Sequence, residues 1–303
     1  MTNENYTKHP LVSVIIPTYN RPHTIKRAIK SVVNQTYKNI ELIVVDDNAK
    51  NTDARIKTKK IVSKYSNAKY IINNKNLGGS RTRNVGIKAA RGKYVAFLDD
   101  DDEFLPTKIA EQIDLMEQKQ SEDKNTCIIY CYQNSIQING KSKVKKANHE
   151  GNALYEHILK FTMPTSTWLC DKEKLLKIGG FDDMPSQQDL ALMLKVLDNG
   201  YSIYRVPKAL LNFYVHKPGD GITKTGKDFV EQVRYYHRLC RQSFSKLNKK
   251  QIDKIEHNFH NRLCNCYIQM HDYANAKKEL NTMFRSRPFE ISNYKNLIKI
   301  TIK

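Results

Sequence analysis

Apolar positions in the first hundred residues follow two periods in turn. Apolar runs at 11–16 and 40–45, broken only by Ser13 and Glu41, alternate with stretches in which apolar residues recur every three or four positions. The runs read as strands buried on both faces and the periodic stretches as amphipathic helices. Their alternation predicts a parallel sheet covered by helices. On this reading Asn20 caps the first helix, Pro22 occupies its first turn, and Ile25, Ala28, Ile29, Val32 and Val33 form its buried stripe. A second helical pattern runs to about Ser66, a third strand covers 69–72, and Asn76 to Gly79 turn the chain. A helix over 81–90 then leads to a fourth strand over 93–98.

Beyond Pro106 the pattern predicts a helix over 107–119, a strand over 126–132, and a loop or short hairpin over the polar, basic residues 133–151. Residues 162–170 and 201–214 have strand character, with a helix over 187–199 between them. From Gly226 onward only helical periodicity remains. Phe229, Val230, Val233 and Tyr236 make one stripe, and YIQMHDYANAKKELNTMF is similar to a single helix-turn-helix pair of the tetratricopeptide kind. The change of pattern places a division near residue 222. Residues 1–222 form one α/β domain with halves 1–105 and 106–222, and 223–303 an appended helical lobe.

Composition narrows the class. With 303 residues, 40% hydrophobic and 27% charged, the chain is expected to bury a sizeable core. No apolar run approaches the ~20 residues that span a bilayer, and the polar start MTNENYTKHP has no signal-peptide core, so a cytoplasmic protein is expected. Cys127, Cys131, Cys170, Cys240, Cys264 and Cys266 show neither CxxC spacing nor matching histidines, which excludes a zinc ribbon and points to reduced, buried thiols. The 51 Lys+Arg against 31 Asp+Glu leave a formal charge of +20, clustered in KSKVKK and SKLNKKQIDK. Such a surplus is either a solvated surface or an attraction for phosphates, on a substrate or on an anionic membrane. Nucleic acid is disfavoured because KSKVKK carries no interleaved aromatics.

Against that charge, KYVAFLDDDDEFLP sets four aspartates in a row, Asp99 to Asp102, at the end of an apolar run. Adjacent carboxylates resist joint ionisation unless a positive charge sits among them. Three strand ends carry comparable groups: Thr18-Tyr19-Asn20-Arg21, Asp46-Asp47-Asn48, and the aspartates. In open α/β sheets ligands bind beyond the carboxyl ends of the strands. The aspartates read as a divalent-metal site or as an acidic cluster at a helix start.

VSVIIPTYNRP, IELIVVDDNA and NLGGSRTRNVGIKAARGKYVAFLDDDD, in this order, resemble the N-terminal half of a family 2 glycosyltransferase of the GT-A fold, over about residues 11–215. That resemblance implies a Rossmann-like mixed sheet flanked by helices. It further implies an inverting, metal-dependent transfer of a hexosyl group from a nucleotide-sugar, expected to be a UDP-sugar, to a hydroxyl of a growing cell-surface polysaccharide or lipid-linked glycan. By the family's pattern Asp99-Asp100-Asp101 is the DxD element. Asp101 is the expected ligand of Mg²⁺ or Mn²⁺, with Asp99 and Asp100 facing the donor. Asp47 is expected to accept a hydrogen bond from the uracil ring, with Thr18, Asn20 and Arg21 around the nucleoside and Arg83 nearby.

Asp189, in PSQQDLALML, matches the family's general base, although Gln188 stands where the family often has Glu; a helix cap is the plainer reading of such an aspartate. Asp183 and Gln188 fall where the acceptor is expected. Trp168 either stacks on an acceptor sugar or belongs to the core, and His216 either reaches the metal or diphosphate or is an exposed loop histidine. A lipid-linked acceptor implies work at the inner face of the cell membrane, peripherally. The runner-up readings are a sugar-phosphate nucleotidyltransferase, disfavoured because TYNRPHT replaces a glycine-rich opening loop, and a non-catalytic protein that binds nucleotides or anionic surfaces.

Overall fold

The computed structural model describes residues 9–160, 163–184, 186–216 and 226–302. It divides into two compact units: Met1–Ala153 with Thr162–Pro218, and Leu154–Phe161 with Gly219–Lys303. The division expected near residue 222 lies outside the described residues.

In chain order the elements are β1 (Val12–Thr18), α1 (Ile25–Val33), β2 (Ile40–Asp46), α2 (Asp53–Val62), β3 (Ala68–Ile72), α3 (Gly78–Ala89), β4 (Tyr94–Phe97), β5 (Glu103–Phe104), α4 (Lys108–Glu122), β6 (Thr126–Ile136), β7 (Ser142–Lys145), α5 (Leu154–Leu159), β8 (Trp168–Asp171), α6 (Lys172–Lys177), α7 (Gln188–Asp198) and β9 (Ser202–Tyr214). Helices α8 (Gly226–Gln242), α9 (Lys249–Gln269), α10 (Tyr273–Ser286) and α11 (Ile291–Thr301) follow. The sheet of the first unit runs β3-β2-β1-β4-β8-β6-β9-β5, with β7 paired to β6. Strands β3, β2, β1 and β4 are parallel. Strand β8 enters antiparallel between β4 and β6. The sheet is therefore mixed, with its parallel half made by the first hundred residues, as their two alternating periods predict.

Both faces of β1 are covered. Val12, Val14 and Ile16 pack with Ile25, Ala28, Ile29 and Val32 of α1 in the main core. Ile15 points to the other face, where Gly86 of α3 comes so close that a Cβ there would stand 2.4 Å from Ile15 Cγ2. Glycine at 86 thus sets the spacing between helix and strand.

Several local expectations are corrected. Asn20 does not cap α1: it turns the chain in the left-handed region (φ 56°) and its N–H donates to Asn48 Oδ1 at 2.7 Å. The helix starts later, at Ile25, so Pro22 lies in the preceding turn. Val33, at the last turn, is exposed. Helix α2 ends at Val62 rather than near Ser66, and α3 begins at Gly78. Strand β6 continues through polar residues to Ile136, because β9 pairs beside it along that length and Asn134 Nδ2 donates to Asn212 Oδ1. It then forms a hairpin with β7. The strand expected over 162–170 is confined to Trp168–Asp171, after a 3₁₀ turn at Thr165–Thr167; Phe161 and Thr162 lie outside the described residues.

The second unit is helical. Asp272 caps α10 by accepting from the Asn275 N–H, and this closes the α9–α10 turn where a helix-turn-helix pair is expected. Cys264, Ala276, Leu280, Met283 and Ile300 form one small core, and Val230, Val233, Leu263 and Cys266 another. All six cysteines are free and buried.

Candidate active site

Parallel pairing brings the ends of β1, β2 and β4 to one edge of the sheet: Thr18 pairs with Asp46, and Ile15 with Phe97 just before the acidic run. There the chain turns, with the Asp102 N–H donating to the Asp99 carbonyl at 3.0 Å. The turn folds the four aspartates so that Asp99, Asp101 and Asp102 each aim a carboxylate oxygen within 4.8 Å of the other two. Asp100 points elsewhere. It is buried and 3.3 Å from Arg21 Nη1, which also pairs with Asp101. Asp102 was not singled out by sequence; it sits last in the run, and only the turn reveals that it converges with Asp99 and Asp101.

Groups distant in sequence complete the cluster. His216 Nε2 lies 2.8 Å from Asp101 Oδ2. Arg27 Nη2 donates to the Asp101 carbonyl at 2.5 Å while its guanidinium lies 3.7 Å over the Tyr214 ring. The Tyr214 N–H donates to Asp102 Oδ1 at 3.2 Å. Asp102 Oδ2 is buried with no hydrogen-bond partner among the described residues. Burial, reinforced by Asp99 and Asp101, pushes the Asp102 carboxyl well above the ordinary carboxylate range. Burial and then Asp101 raise Asp100 to about 7, against the pull of Arg21. Carboxylates gathered this closely are individually unfavourable as anions. An orphaned buried oxygen among three hard oxygen donors fits a divalent cation such as Mg²⁺ or Mn²⁺.

Asp47 is buried beyond β2. Its Oδ1 accepts from Asn73 Nδ2 at 2.7 Å and from the Leu77 N–H at 2.8 Å, and its Oδ2 accepts from the Gly78 N–H at 2.9 Å. It therefore tethers the start of α3, while Thr52 caps α2, the next helix along the chain. A carboxylate has room for about four hydrogen bonds, so Oδ2 retains accepting capacity.

Arg83, on the buried side of α3, links the acidic turn to α7. Its Nη2 is 2.5 Å from Asp99 Oδ1, and its Nη1 donates to Gln188 Oε1 at 2.8 Å. A Cβ at position 79 would meet both Arg83 Nη1 and Gln188 Oε1 at 2.9 Å, so Gly79 leaves room for this contact. Arg81, two positions earlier, pairs with Asp183, and both side chains are exposed. Asp189 follows in the first turn of α7 and accepts from the Leu190 N–H at 2.9 Å. Burial raises its carboxyl; the Leu190 N–H and the Arg83 charge partly offset this, and Asp99 adds to it. Gln187, just before, adopts a left-handed φ of 56°, and its side-chain amide has no partner among the described residues.

Thr18, Asn20, Arg21, Asp47, Arg83, Asp99, Asp100, Asp101, Gln188, Asp189 and His216 are thus tied to the strand ends or to the elements held against them. Trp168 is not. Its ring is wholly buried in β8 and its Nε1–H donates to the Met163 carbonyl at 3.0 Å, so of its two readings the core one holds and its placement at the acceptor is corrected. Ser166, beside it, was missed; its Oγ accepts from the Asp99 N–H at 3.1 Å and helps hold the acidic turn.

Comparison with known proteins places this architecture. A family model described as "Glycosyl transferase family 2" matches residues 13–179. The amylovoran biosynthesis glycosyltransferase AmsB of Erwinia amylovora is 31% identical over 232 residues, 74% of this chain and 74% of that protein. A UDP-Glc:alpha-D-GlcNAc-diphosphoundecaprenol beta-1,3-glucosyltransferase, WfaP of Escherichia coli, is 44% identical over 109 residues. That match covers 35% of this chain and 41% of WfaP. Among solved structures, S. aureus TarS 1-349 in complex with UDP-GlcNAc superposes with a TM-score of 0.61 at 18% identity, covering 91% of each chain. The likeness to TarS establishes the GT-A fold.

Proposed function

We propose that this chain, which belongs to glycosyl transferase family 2, moves a hexosyl group from a UDP-sugar to a hydroxyl of a growing polysaccharide or lipid-linked glycan, with inversion at the anomeric carbon. The observation that carries the reading is the convergence of Asp99, Asp101 and Asp102 at the end of β4, joined through Arg83 to the helix that presents Asp189. Two relatives support the donor and acceptor classes: WfaP is named for transfer from UDP-Glc to a diphosphoundecaprenol-linked sugar, and AmsB for amylovoran biosynthesis.

In this reading Asp99, Asp101 and Asp102 hold Mg²⁺ or Mn²⁺, with His216 against Asp101. Bound there, the ion supplies positive charge to offset the charge that grows on the departing diphosphate. Asp47 accepts from the uracil ring, Thr18, Asn20 and Arg21 line the nucleoside, Asp100 supports Arg21 beneath the donor, and Arg83 orients Asp99. Asp189, its carboxyl raised by burial, takes the proton from the acceptor hydroxyl. The acceptor oxygen attacks the anomeric carbon while the bond from that carbon to the diphosphate breaks on the opposite face. Gln188 and Asp183 border the acceptor. Residues 1–105 bind the donor, 106–222 the acceptor, and 223–303 serve docking. No helix of the described residues is long and apolar enough to cross a membrane. In this reading a lipid-linked acceptor is met from the cytoplasm at an anionic membrane surface, to which the formal charge of +20 is attracted.

The test is a donor screen: purified protein, a panel of nucleotide-sugars with Mg²⁺ or Mn²⁺, and detection of released nucleoside diphosphate, beside Asp101→Ala and Asp189→Ala. Release from one UDP-sugar that needs the ion and is lost in both variants supports the reading. Absence of any divalent-dependent UDP binding by calorimetry overturns it.

A further inference from the structure

Helix α11 faces the wrong way for a helix of a water-soluble bundle. Its inward positions are Asn293, Asn296 and Ile300, all buried. Its outward face is largely apolar: Ile291, Tyr294, Leu297 and Ile298, with Ile302 beyond its end, are between 44% and 79% exposed, and Thr301 is the one polar residue among them. At 3.6 residues per turn these five occupy one arc of about 140°. Phe289, immediately before the helix, is 89% exposed. The orientation is not loose. Asn293 Oδ1 lies 2.8 Å from His257 Nε2, Asn293 Nδ2 donates to the Arg287 carbonyl, and Asn296 Nδ2 donates to Asn261 Oδ1. These hydrogen bonds hold the polar face inward, so the apolar face is presented by construction.

An apolar stripe of this extent, built and held outward, marks a surface that something covers. The charges beside it identify the occupant. Lys295 and Lys299 follow the arc along one edge, and the helix ISNYKNLIKIT contains no acidic residue. An apolar stripe edged by lysines suits the boundary between acyl chains and anionic headgroups, where the isoleucines enter the bilayer and the lysines meet phosphates. We propose that α11, with Phe289, is an in-plane anchor that seats the helical unit on an anionic lipid bilayer. The inference takes its choice of partner from the reading that the acceptor is lipid-linked, and gives that reading a named surface.

Flotation of the full chain with phosphatidylcholine vesicles, with and without about one-third phosphatidylglycerol, tests it at moderate salt. Wild type is expected to float with the anionic vesicles. Leu297→Asp/Ile298→Asp, at exposed positions, is expected to lower the bound fraction at least tenfold with unchanged circular dichroism, and Lys295→Glu/Lys299→Glu severalfold. Phe289→Trp is expected to shift its fluorescence to the blue only on anionic vesicles; Trp168, wholly buried, supplies a constant background. Equal flotation on neutral and anionic vesicles, or flotation indifferent to the aspartate pair, overturns the proposal. So does a concentration-dependent dimer that the aspartate pair dissociates while no vesicles bind, which would assign the face to a second copy of the chain. Vesicle binding requires no donor, so its failure is separable from failure of the donor screen.

Discussion

His216 and Asp101 stand 115 positions apart in the chain and 2.8 Å apart in space. The contact joins the end of β9 to the acidic turn after β4, so the segment that closes the α/β unit reaches the carboxylates near the end of its first half. An imidazole against a carboxylate orients that carboxylate, and loss of such a partner at a metal site typically costs about 10–100-fold. His216→Ala is expected to lower both Mn²⁺ affinity and turnover by that range, with His216→Gln intermediate. Calorimetry and steady-state release of diphosphate read the two effects separately.

Asp102 and Asp100 are neighbours in the same acidic run with opposite expected roles. Asp102 converges with Asp99 and Asp101, whereas Asp100 is turned towards Arg21. Asp102→Asn is expected to weaken Mn²⁺ binding by about tenfold or more, and Asp100→Asn far less. Titration of Mn²⁺ into each variant by electron paramagnetic resonance distinguishes them. Equal losses would mean that Asp100 belongs to the ligand set.

Replacing Asp189 by Asn is expected to cut kcat by roughly 10²–10⁴ with UDP affinity retained, since a positioned base contributes on that scale. The base works deprotonated and burial raises its carboxyl. The acidic limb of kcat/KM in wild type is therefore expected above the ordinary aspartate range. Arg83 lowers that carboxyl, so Arg83→Met is expected to move the limb to higher pH. A limb that does not move in pH–rate profiles of wild type and Arg83→Met would sever the proposed link.

Glu41 carries a stability prediction away from the site. Burial alone would raise its carboxyl, but the Arg91 N–H, the Ser13 hydroxyl and the Arg91 guanidinium together hold it below 4.5. A depressed folded value means that the stabilisation is present above the unfolded pKa and lost as pH falls through the folded one. Glu41→Gln is expected to lower stability at pH 7 by roughly 1–3 kcal/mol. The gap from wild type should narrow as pH drops below about 4.5, in urea titrations at several pH values.

Gly86→Ala tests the packing of α3 on β1. A Cβ there would lie 2.4 Å from Ile15 Cγ2, and overpacking of this kind typically costs about 1–3 kcal/mol. The midpoint of thermal unfolding should fall.

Much of the parallel half was legible in order. The apolar runs at 11–16 and 40–45 are buried on both faces in any compact arrangement, so their period alone implies strands under helices. That Asp47, Asp99 and Asp101 stand at strand ends and Asp189 at a helix start was legible too, because strand ends and helix starts are local events; the roles proposed for them came only from the resemblance to family 2. Helix α1 was legible in its stripe but not in its start: Asn20 has the chemistry of a cap, yet the loop bends it onto Asn48.

What sequence by itself determined was the class of fold and which chemical groups the chain carries. Tertiary structure alone decided which of those groups meet. Trp168 could be core or sugar platform, and insertion of β8 between β4 and β6 buried it. Four consecutive aspartates are equivalent in sequence, and one turn sorts them into a converging three and a fourth turned towards Arg21. His216, Arg83 and Gln188 acquire partners only through chain reversals across many residues. The apolar stripe of α11 looks like any buried helix face until packing turns its asparagines inward. Periodicity reports which face of an element is apolar; where that face points, and what stands opposite, is set by contacts between elements that no local pattern encodes.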